Sequence, residues 1–431
     1  MSATMTPLAA VRAVTYATTG DPFLFKRVKT WWVLLALLVI ADGGGLFRTQ
    51  EEHYKVKALK QLLESHDLLW LTVALFVICA ALIFTQLVPT LRMMLRQKAV
   101  LAFAVLAFLS TLWSQVPFLT FRKAMLLFVF MAFAWFVAMY YSPADQMRLL
   151  LALGLIMALA SIAWVILFPQ YGTAPGGEWK GVFGRKNFLG STMFFLFSGL
   201  PFCRISKRRE LLTLAVQAIL PIGLIILSGA VTPVFMMVVL IAVRVLGPLL
   251  TRMKKESAPF MLYCLSLGAA MIPVSLGIFL PLLGRDFTLT GRTLEWPIMF
   301  HFALERFWLG YGYQGFWTGT TGASGRVVDL LHAGVNTADN GYLELMLELG
   351  FVGLGLLVVL LIDCMRNFQR LLRRSSVPLV AYWYAGLILT IFVGGITEDM
   401  FWMPIRIVPF MLVLACAGLR RLSETSSRLA A

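Results

Sequence analysis

The sequence predicts an all-α, polytopic membrane protein of about twelve spanning helices, with one large polar loop before the tenth, taking about 20 apolar residues per span. Three observations predict it: an extreme apolar composition, a succession of apolar runs, and basic clusters that alternate with those runs. Of 431 residues, 60% are hydrophobic and 13% charged. Soluble domains carry about 25% charged residues, so this chain cannot cover itself with polar surface and needs the bilayer as its solvent. The apolar runs are 31–48, 68–90, 99–114, 124–141, 147–169, 187–203, 211–229, 231–250, 258–283, 342–362, 378–396 and 401–419. The run at 31–48 could mimic a signal sequence, but the many runs behind it favour an uncleaved first span.

Lysine and arginine clusters orient such a chain. Lys26/Arg27/Lys29, Arg92/Arg96/Lys98, Arg204/Lys207/Arg208/Arg209, Arg252/Lys254/Lys255, Arg366/Arg370/Arg373/Arg374 and Arg420/Arg421 all fall between alternate spans. That side is expected to be cytoplasmic, with both termini. The expected division is a cytoplasmic tail at 1–30, about nine helices over 31–283, a large outer loop at 284–341, about three helices over 342–419 and a second tail at 420–431. The formal charge of +16 follows this pattern. It forms no aromatic-interleaved patch of the kind nucleic acids take, and suits an anionic lipid ligand. The five cysteines lie in or beside apolar runs and form no CxxC spacing or disulfide framework. No acidic residue recurs at mid-span, which weighs against a proton-coupled pump.

The outer side carries cations against the orientation rule: Lys55, Lys57 and Lys60, then Arg122 and Lys123, then Lys180, Arg185 and Lys186. Snorkelling explains the first group well and the others less well. Three outer stretches hold the candidate chemistry. Gly176 to Asn187 is glycine-rich, carries Lys180, Arg185 and Lys186, and precedes a helix start, which suits an anion or, equally, lipid headgroups. Thr290 to Trp296 carries Arg292, which can clamp a phosphate or simply pair with Glu295 one turn on. Ala338 to Gly350 carries Asp339 and Asn340, either of which can cap the following helix, while Asp339 can also serve as a base. Glu344 and Glu348 lie four apart on one face of that helix. Trp296, Trp308, Tyr313 and Trp317 suit sugar stacking or an interfacial aromatic belt. His301 and His332 show no metal-ligand spacing, so neither a metal nor a cofactor is expected.

Taken together, these stretches resemble the O-antigen ligase and Wzy-type polymerase superfamily of bacterial surface polysaccharide assembly, most of all its succinoglycan-type exopolysaccharide polymerases. The resemblance is carried by Gly181 to Gly190, Thr290 to Trp296, Glu305 to Trp317, Asp339 to Gly350, Thr397 to Phe401, and the earlier Leu112 to Pro117 with Arg122. It implies an inner-membrane enzyme whose donor is an undecaprenyl-diphosphate-linked oligosaccharide. It also implies contact with membrane lipids, and chain-length regulator and export proteins as candidate partners. It implies roles for Arg292 and Lys180 at the diphosphate, with Arg185, Lys186, Asn187, Glu295, Tyr313, Asn340 and Glu398 as substrate-binding candidates. The chain departs from the pattern twice. Arg185 and Asp339 stand where the family has histidines. Asp339 could act as the base, His332 could reach in from upstream, or the ligase step could be lost. The expected function is therefore an exopolysaccharide polymerase working without a metal. A ligase joining glycan to a lipid A core or protein is the alternative. A lipid-glycan transporter is the rival from another class, and would place its charges at mid-depth.

Overall fold

The computed structural model describes residues 30–37, 77–203, 208–253, 292–319, 321–331, 335–373, 377–403 and 406–428. Among these residues the protein is helical, and extended pairing is limited to an isolated bridge between Thr173 and Trp179. The helices are α1 (Val77–Phe84) and α2 (Leu87–Arg96), bent against each other by 96°, and α3 (Lys98–Leu109). Then come α4 (Pro117–Tyr140), α5 (Pro143–Leu167), α6 (Lys186–Phe197), α7 (Arg208–Leu227) and α8 (Val231–Met253). After them follow α9 (Arg292–Glu305), α10 (Gly322–Leu331), α11 (Gly341–Leu372), α12 (Leu379–Gly394) and α13 (Ile407–Arg428). Local chemistry sets their starts. Pro117 and Pro143 sit at first-turn positions where no N–H is needed, and the Ser142 hydroxyl accepts from the Asp145 N–H.

Among the described residues, α4, α5, α8 and α11 are long and apolar enough to cross a bilayer, and the bent pair α1–α2 adds a fifth crossing if it acts as one. These are the runs expected at 124–141, 147–169, 231–250, 342–362 and 68–90. The runs at 99–114, 211–229 and 378–396 fall on shorter apolar helices, and that at 187–203 on the 12-residue α6. The last run does not begin at Phe401: its helix starts at Ile407. The run at 258–283 lies outside the described residues, as does most of 31–48. The described part of 284–341, expected as a loop, contains two helices, α9 and α10. The outer faces of α7 and α8 expose Leu212, Val216 and Ile219, and Val234, Val238, Ile241 and Val245. Apolar stripes at three- and four-residue spacing are costly in water and at home among acyl chains. The protein is a membrane protein.

The core forms where α13 packs on α4, α11 and α12, with α8 against α12 and α3 against α11. Its large side chains use their polar ends. Trp135 donates to Gln97 Oε1 at 2.6 Å, Tyr384 to Gln146 Oε1 at 2.7 Å, and Trp383 to Ser198 Oγ at 3.1 Å. Each bond satisfies a buried donor that would otherwise cost about 1–3 kcal/mol.

Helix α11 is too long for one crossing, since 32 residues would rise about 48 Å against a hydrocarbon core of about 30 Å. It breaks at Gly350, where φ is 63° and ψ −160°. The break frees the carbonyls of Leu347 and Glu348, which accept from Tyr311 N and Gly312 N at 2.8 and 2.9 Å. Beyond it, Phe351 N and Val352 N donate to Phe307 O and Trp308 O at 2.9 and 3.2 Å. The segment after α9 thus plugs the gap in α11. Backbones can approach this closely only because Gly310 and Gly350 lack side chains. A Cβ on Gly310 would sit 2.5 Å from Glu348 C, and one on Gly350 would sit 2.4 Å from Trp308 C. Residues 351–372 then rise about 33 Å, one bilayer, and 341–349 belong to a helical cap with α9 and α10.

Candidate functional site

The site lies under this cap, where the N-terminus of α6 meets the N-terminus of α11 and the segment 395–406. The loop before α6 is a tight turn. Ala174 N donates to Glu178 O at 2.7 Å, and Trp179 N ties the turn to the end of α7 through Leu227 O at 2.9 Å. Within it, Lys186 Nζ bonds Glu178 Oε1 at 2.8 Å, and this contact holds the Glu178 carboxyl below its usual range. Lys180 is buried, which pulls its ammonium below the usual lysine range. Arg185 precedes the first turn of α6 in an extended conformation and leaves its N–H groups without a side-chain cap. Such a helix start favours anions.

Arg185 Nη2 donates to Asn336 Oδ1 at 3.1 Å, and Asn187 Nδ2 donates to Glu398 Oε1 at 2.6 Å. Glu398 also fixes the start of α11 through its own carbonyl, which accepts from Gly341 N at 3.1 Å. Arg406 stacks on Phe188 with its guanidinium carbon 4.0 Å from the ring centroid, and Arg185 lies 5.9 Å from the same ring. Burial lowers the Arg406 pKa, and Asp399 opposes that shift; Glu398 and Asp339 also face this guanidinium. Burial pushes the Asp399 carboxyl up to about 6, with Arg406 opposing and Asp339 adding to the rise. Its Oδ2 is buried with no hydrogen-bond partner. The site is therefore zwitterionic: Arg185 and Arg406 interleave with Asp339, Glu398 and Asp399.

Asp339 sits in a left-handed backbone conformation, φ 47°. Aspartate tolerates that region better than most residues, and held strain of this kind gathers at functional sites. Two neighbours pin it. Trp296 Nε1 donates to Ala338 O at 2.9 Å, and Ala338 N donates to Glu344 Oε2 at 2.9 Å. Trp317 Nε1 reaches the other oxygen of Glu344, and Gln314 Nε2 reaches Glu348 Oε1 at 2.7 Å. The cap of α11 is Asn340, whose Oδ1 accepts from Tyr342 N and Leu343 N at 3.0 and 3.1 Å. Asn340, and not Asp339, therefore supplies the cap.

The sequence-derived candidates divide accordingly. Arg185, Asn187, Asp339, Asn340 and Glu398 come together, while Lys186 is paired with Glu178. Tyr313 is fully buried and its hydroxyl donates to Trp402 O, a packing position. Glu295 lies in the first turn of α9, whose helix begins at Arg292. The Arg292 side chain and His332 lie outside the described residues. Arg406 and Asp399 were missed by sequence reasoning. The available signal was Met403-Pro404-Ile405-Arg406, a proline and a cation interrupting an apolar run. Among the described residues, no group of three or more His, Cys, Asp or Glu side chains is arranged to hold a metal ion.

The family model described as O-antigen ligase, Wzy_C, matches residues 211–358. That stretch is similar to the O-antigen ligase domain. No curated protein matches the chain. The match covers about a third of the sequence. It takes in α7 to α10 and the α11 break, and so holds Arg292, Asp339, Glu344 and Glu348. Arg185, Glu398, Asp399 and Arg406 flank it on both sides in sequence and meet it in space. The superfamily's members act on lipid-linked glycans as membrane glycosyltransferase-like enzymes.

Proposed function

We propose that this protein is an exopolysaccharide polymerase, transferring an undecaprenyl-diphosphate-linked glycan onto the next repeat unit at the periplasmic face of the inner membrane. In this reading the chain crosses the bilayer about twelve times, the cap faces the periplasm and both termini are cytoplasmic. The observation that supports it is the zwitterionic cluster around the start of α6, with Asp339 held in a strained backbone beside it. Glycosyl transfer from a lipid diphosphate needs both signs of charge. The acceptor hydroxyl attacks the anomeric carbon and loses its proton to Asp339, while the bond to the diphosphate breaks and the diphosphate leaves with the electron pair. Negative charge grows on that leaving group, where Arg292, Arg185 and Arg406, with Lys180 or Lys186, would stabilise it. The protein's own cations then take the part a divalent metal has elsewhere. His332 is the alternative base.

The O-antigen ligase match supports a second reading, in which finished glycan is joined to a lipid A core or a protein. A deletion strain separates the two. Accumulated single lipid-linked repeat units indicate a polymerase, and accumulated lipid-linked polymer indicates a ligase. Complementation with Arg292→Ala or Asp339→Ala is expected to lower product at least about 100-fold, since each supplies transition-state stabilisation of several kcal/mol. Full-length polymer from either variant at normal expression would remove that residue from the mechanism.

A further inference from the structure

A hollow lies at the C-terminal end of α9, away from Asp339. It is open to solvent, has a volume of about 390 Å³ and is lined chiefly by Gln115, Glu305, Arg306, Tyr311, Ala323 and Arg326. That volume is of the order of a small-ligand site. Trp296, near the start of α9, contacts the residue next to Asp339, and Glu305 closes the last turn. The rise between them is about 13 Å at ~1.5 Å per residue, a distance a short saccharide spans.

The walls of the hollow are unequal. Arg326 is neutralised by Glu305, through Nη1 to Oε1 at 3.2 Å and Nη2 to Oε2 at 2.8 Å, and the Tyr311 hydroxyl adds a bond to Oε2 at 2.9 Å. Arg306 is positioned without being neutralised. Its guanidinium lies over the Tyr311 ring at 5.0 Å and donates to the Trp113 carbonyl at 3.3 Å. Among the described residues, no carboxylate lies within ion-pair distance of it. Gln115 presents its oxygen to Ala323 N at 3.5 Å, and its Nε2 is buried with no hydrogen-bond partner. A buried amide N–H without an acceptor costs about 1–3 kcal/mol, so a ligand that supplies one gains that bond. Among the described residues, the hollow thus offers a cation with no carboxylate partner, an orphaned donor and an aromatic ring, beside an ion pair already closed on itself. One guanidinium and one amide N–H match the two oxygens of a single carboxylate, here on a hydroxyl-rich body.

We propose that this hollow is a subsite for an acidic sugar, whose carboxylate is held by Arg306 and Gln115 while transfer proceeds at the Asp339 end. The sugar's membership of the glycan being transferred rests on the function proposed above; binding itself does not. The test uses full-length protein in detergent micelles, titrated calorimetrically with tetragalacturonate and with its fully methyl-esterified, uncharged form. The acid is expected to bind about tenfold or more tightly than the ester, and Arg306→Ala and Gln115→Ala are each expected to weaken it about tenfold. Asp339→Ala is expected to bind it like the wild type. Arg306→Gln, close in length, serves where the alanine variant loses its thermal transition. Equal binding of acid and ester, undiminished binding by both Arg306 variants, or no binding of the acid by wild type would overturn the proposal. A protein that keeps this preference while Asp339→Ala still makes normal polymer would refute the mechanism above and leave the subsite standing.

Discussion

The two ends of the helix bundle use charge differently. At the end where α4 finishes and α13 runs out, arginines close backbone and side-chain bonds. Arg421 Nη1 donates to the carbonyls of Ala138 and Met139 at 2.5 and 2.9 Å, Arg420 pairs with Asp363 at 2.9 Å, and Arg96 pairs with Glu424 at 2.5 Å. Cations on the last carbonyls of a helix are stabilising, and among the described residues Arg420 Nε is the buried charged-group atom there without a hydrogen-bond partner. At the cap end, Asp399 keeps an oxygen buried without a donor, Asp339 is strained, and two arginines crowd one phenyl ring. The difference teaches where to look for chemistry. Both ends are rich in arginine, so counting charges does not tell them apart; a carboxylate oxygen buried without a donor beside a strained aspartate does.

The largest expected effect is on the joint that holds the cap to the spans. Gly350→Ala puts a Cβ 2.4 Å from the Trp308 carbonyl in a backbone region that is nearly glycine-only. A loss of about 3 kcal/mol or more is expected, by strain and by breaking the bonds that plug α11. Gly355→Ala, one turn on with nothing within 4 Å of its Cβ, should be neutral or gain about 0.5–1 kcal/mol of helix propensity. Thermal unfolding in detergent compares them. Equal melting temperatures would mean the cap is not anchored at the break.

Next is Glu344, which joins Trp317 and Ala338 to α11. Glu344→Ala leaves two buried donors without acceptors and is expected to cost about 2–4 kcal/mol, while Glu344→Gln keeps one acceptor and costs less. Because Ala338 precedes Asp339, activity should fall further than stability predicts. A variant that melts early but turns over normally when folded would show that the carboxylate packs the cap without positioning Asp339.

These two joints mark the limit of what the sequence discloses. Apolar runs located α4, α5, α8 and α11, because burial in lipid is written in composition over twenty residues. The break at Gly350 was not legible. Glu344 and Glu348 read as one helical face, and the bonds that relieve the break come from residues 307–312, a contact set by folding and not by local pattern. Within the site, Arg185, Asn187, Asp339 and Glu398 were legible through motifs between spans. Arg406 was hidden inside a run read as spanning from Phe401, where a proline and an arginine were the only cues. Tyr313, an aromatic in a promising motif, is spent on packing because its ring sits where α3 and the 395–403 segment close on each other.

A smaller effect should separate the ends by pH. The Asp399 carboxyl titrates at about 6 in the folded protein against 3.8 when unperturbed. Between those values the folded state holds a proton the unfolded chain has released, so stability falls as pH rises from about 4 to about 6, and the whole cost is present above that. Asp399→Asn removes this slope and should leave the variant about 1–2 kcal/mol more stable than wild type at pH 7, allowing for partial exposure. Melting temperatures from pH 4 to pH 7 read it directly. A slope that survives the substitution would assign the titration to another group.

The smallest effect is expected at the stitched end, and it tests whether that end is only scaffold. Asp363→Asn removes the charge that faces Arg420, in a pair whose side chains are 17% and 32% exposed. Pairs in reach of solvent contribute about 0–1 kcal/mol, and the asparagine keeps an oxygen that can accept from Arg420 Nη2. Under the proposed polymerase reading, polymer yield and chain length should match wild type, with a melting temperature lowered slightly and less so at high salt, where screening already weakens the pair. If Asp363→Asn instead abolished product while the protein stayed folded, charge at this end would be coupled to the chemistry under the cap, and complete pairing would no longer distinguish structural from functional arginines.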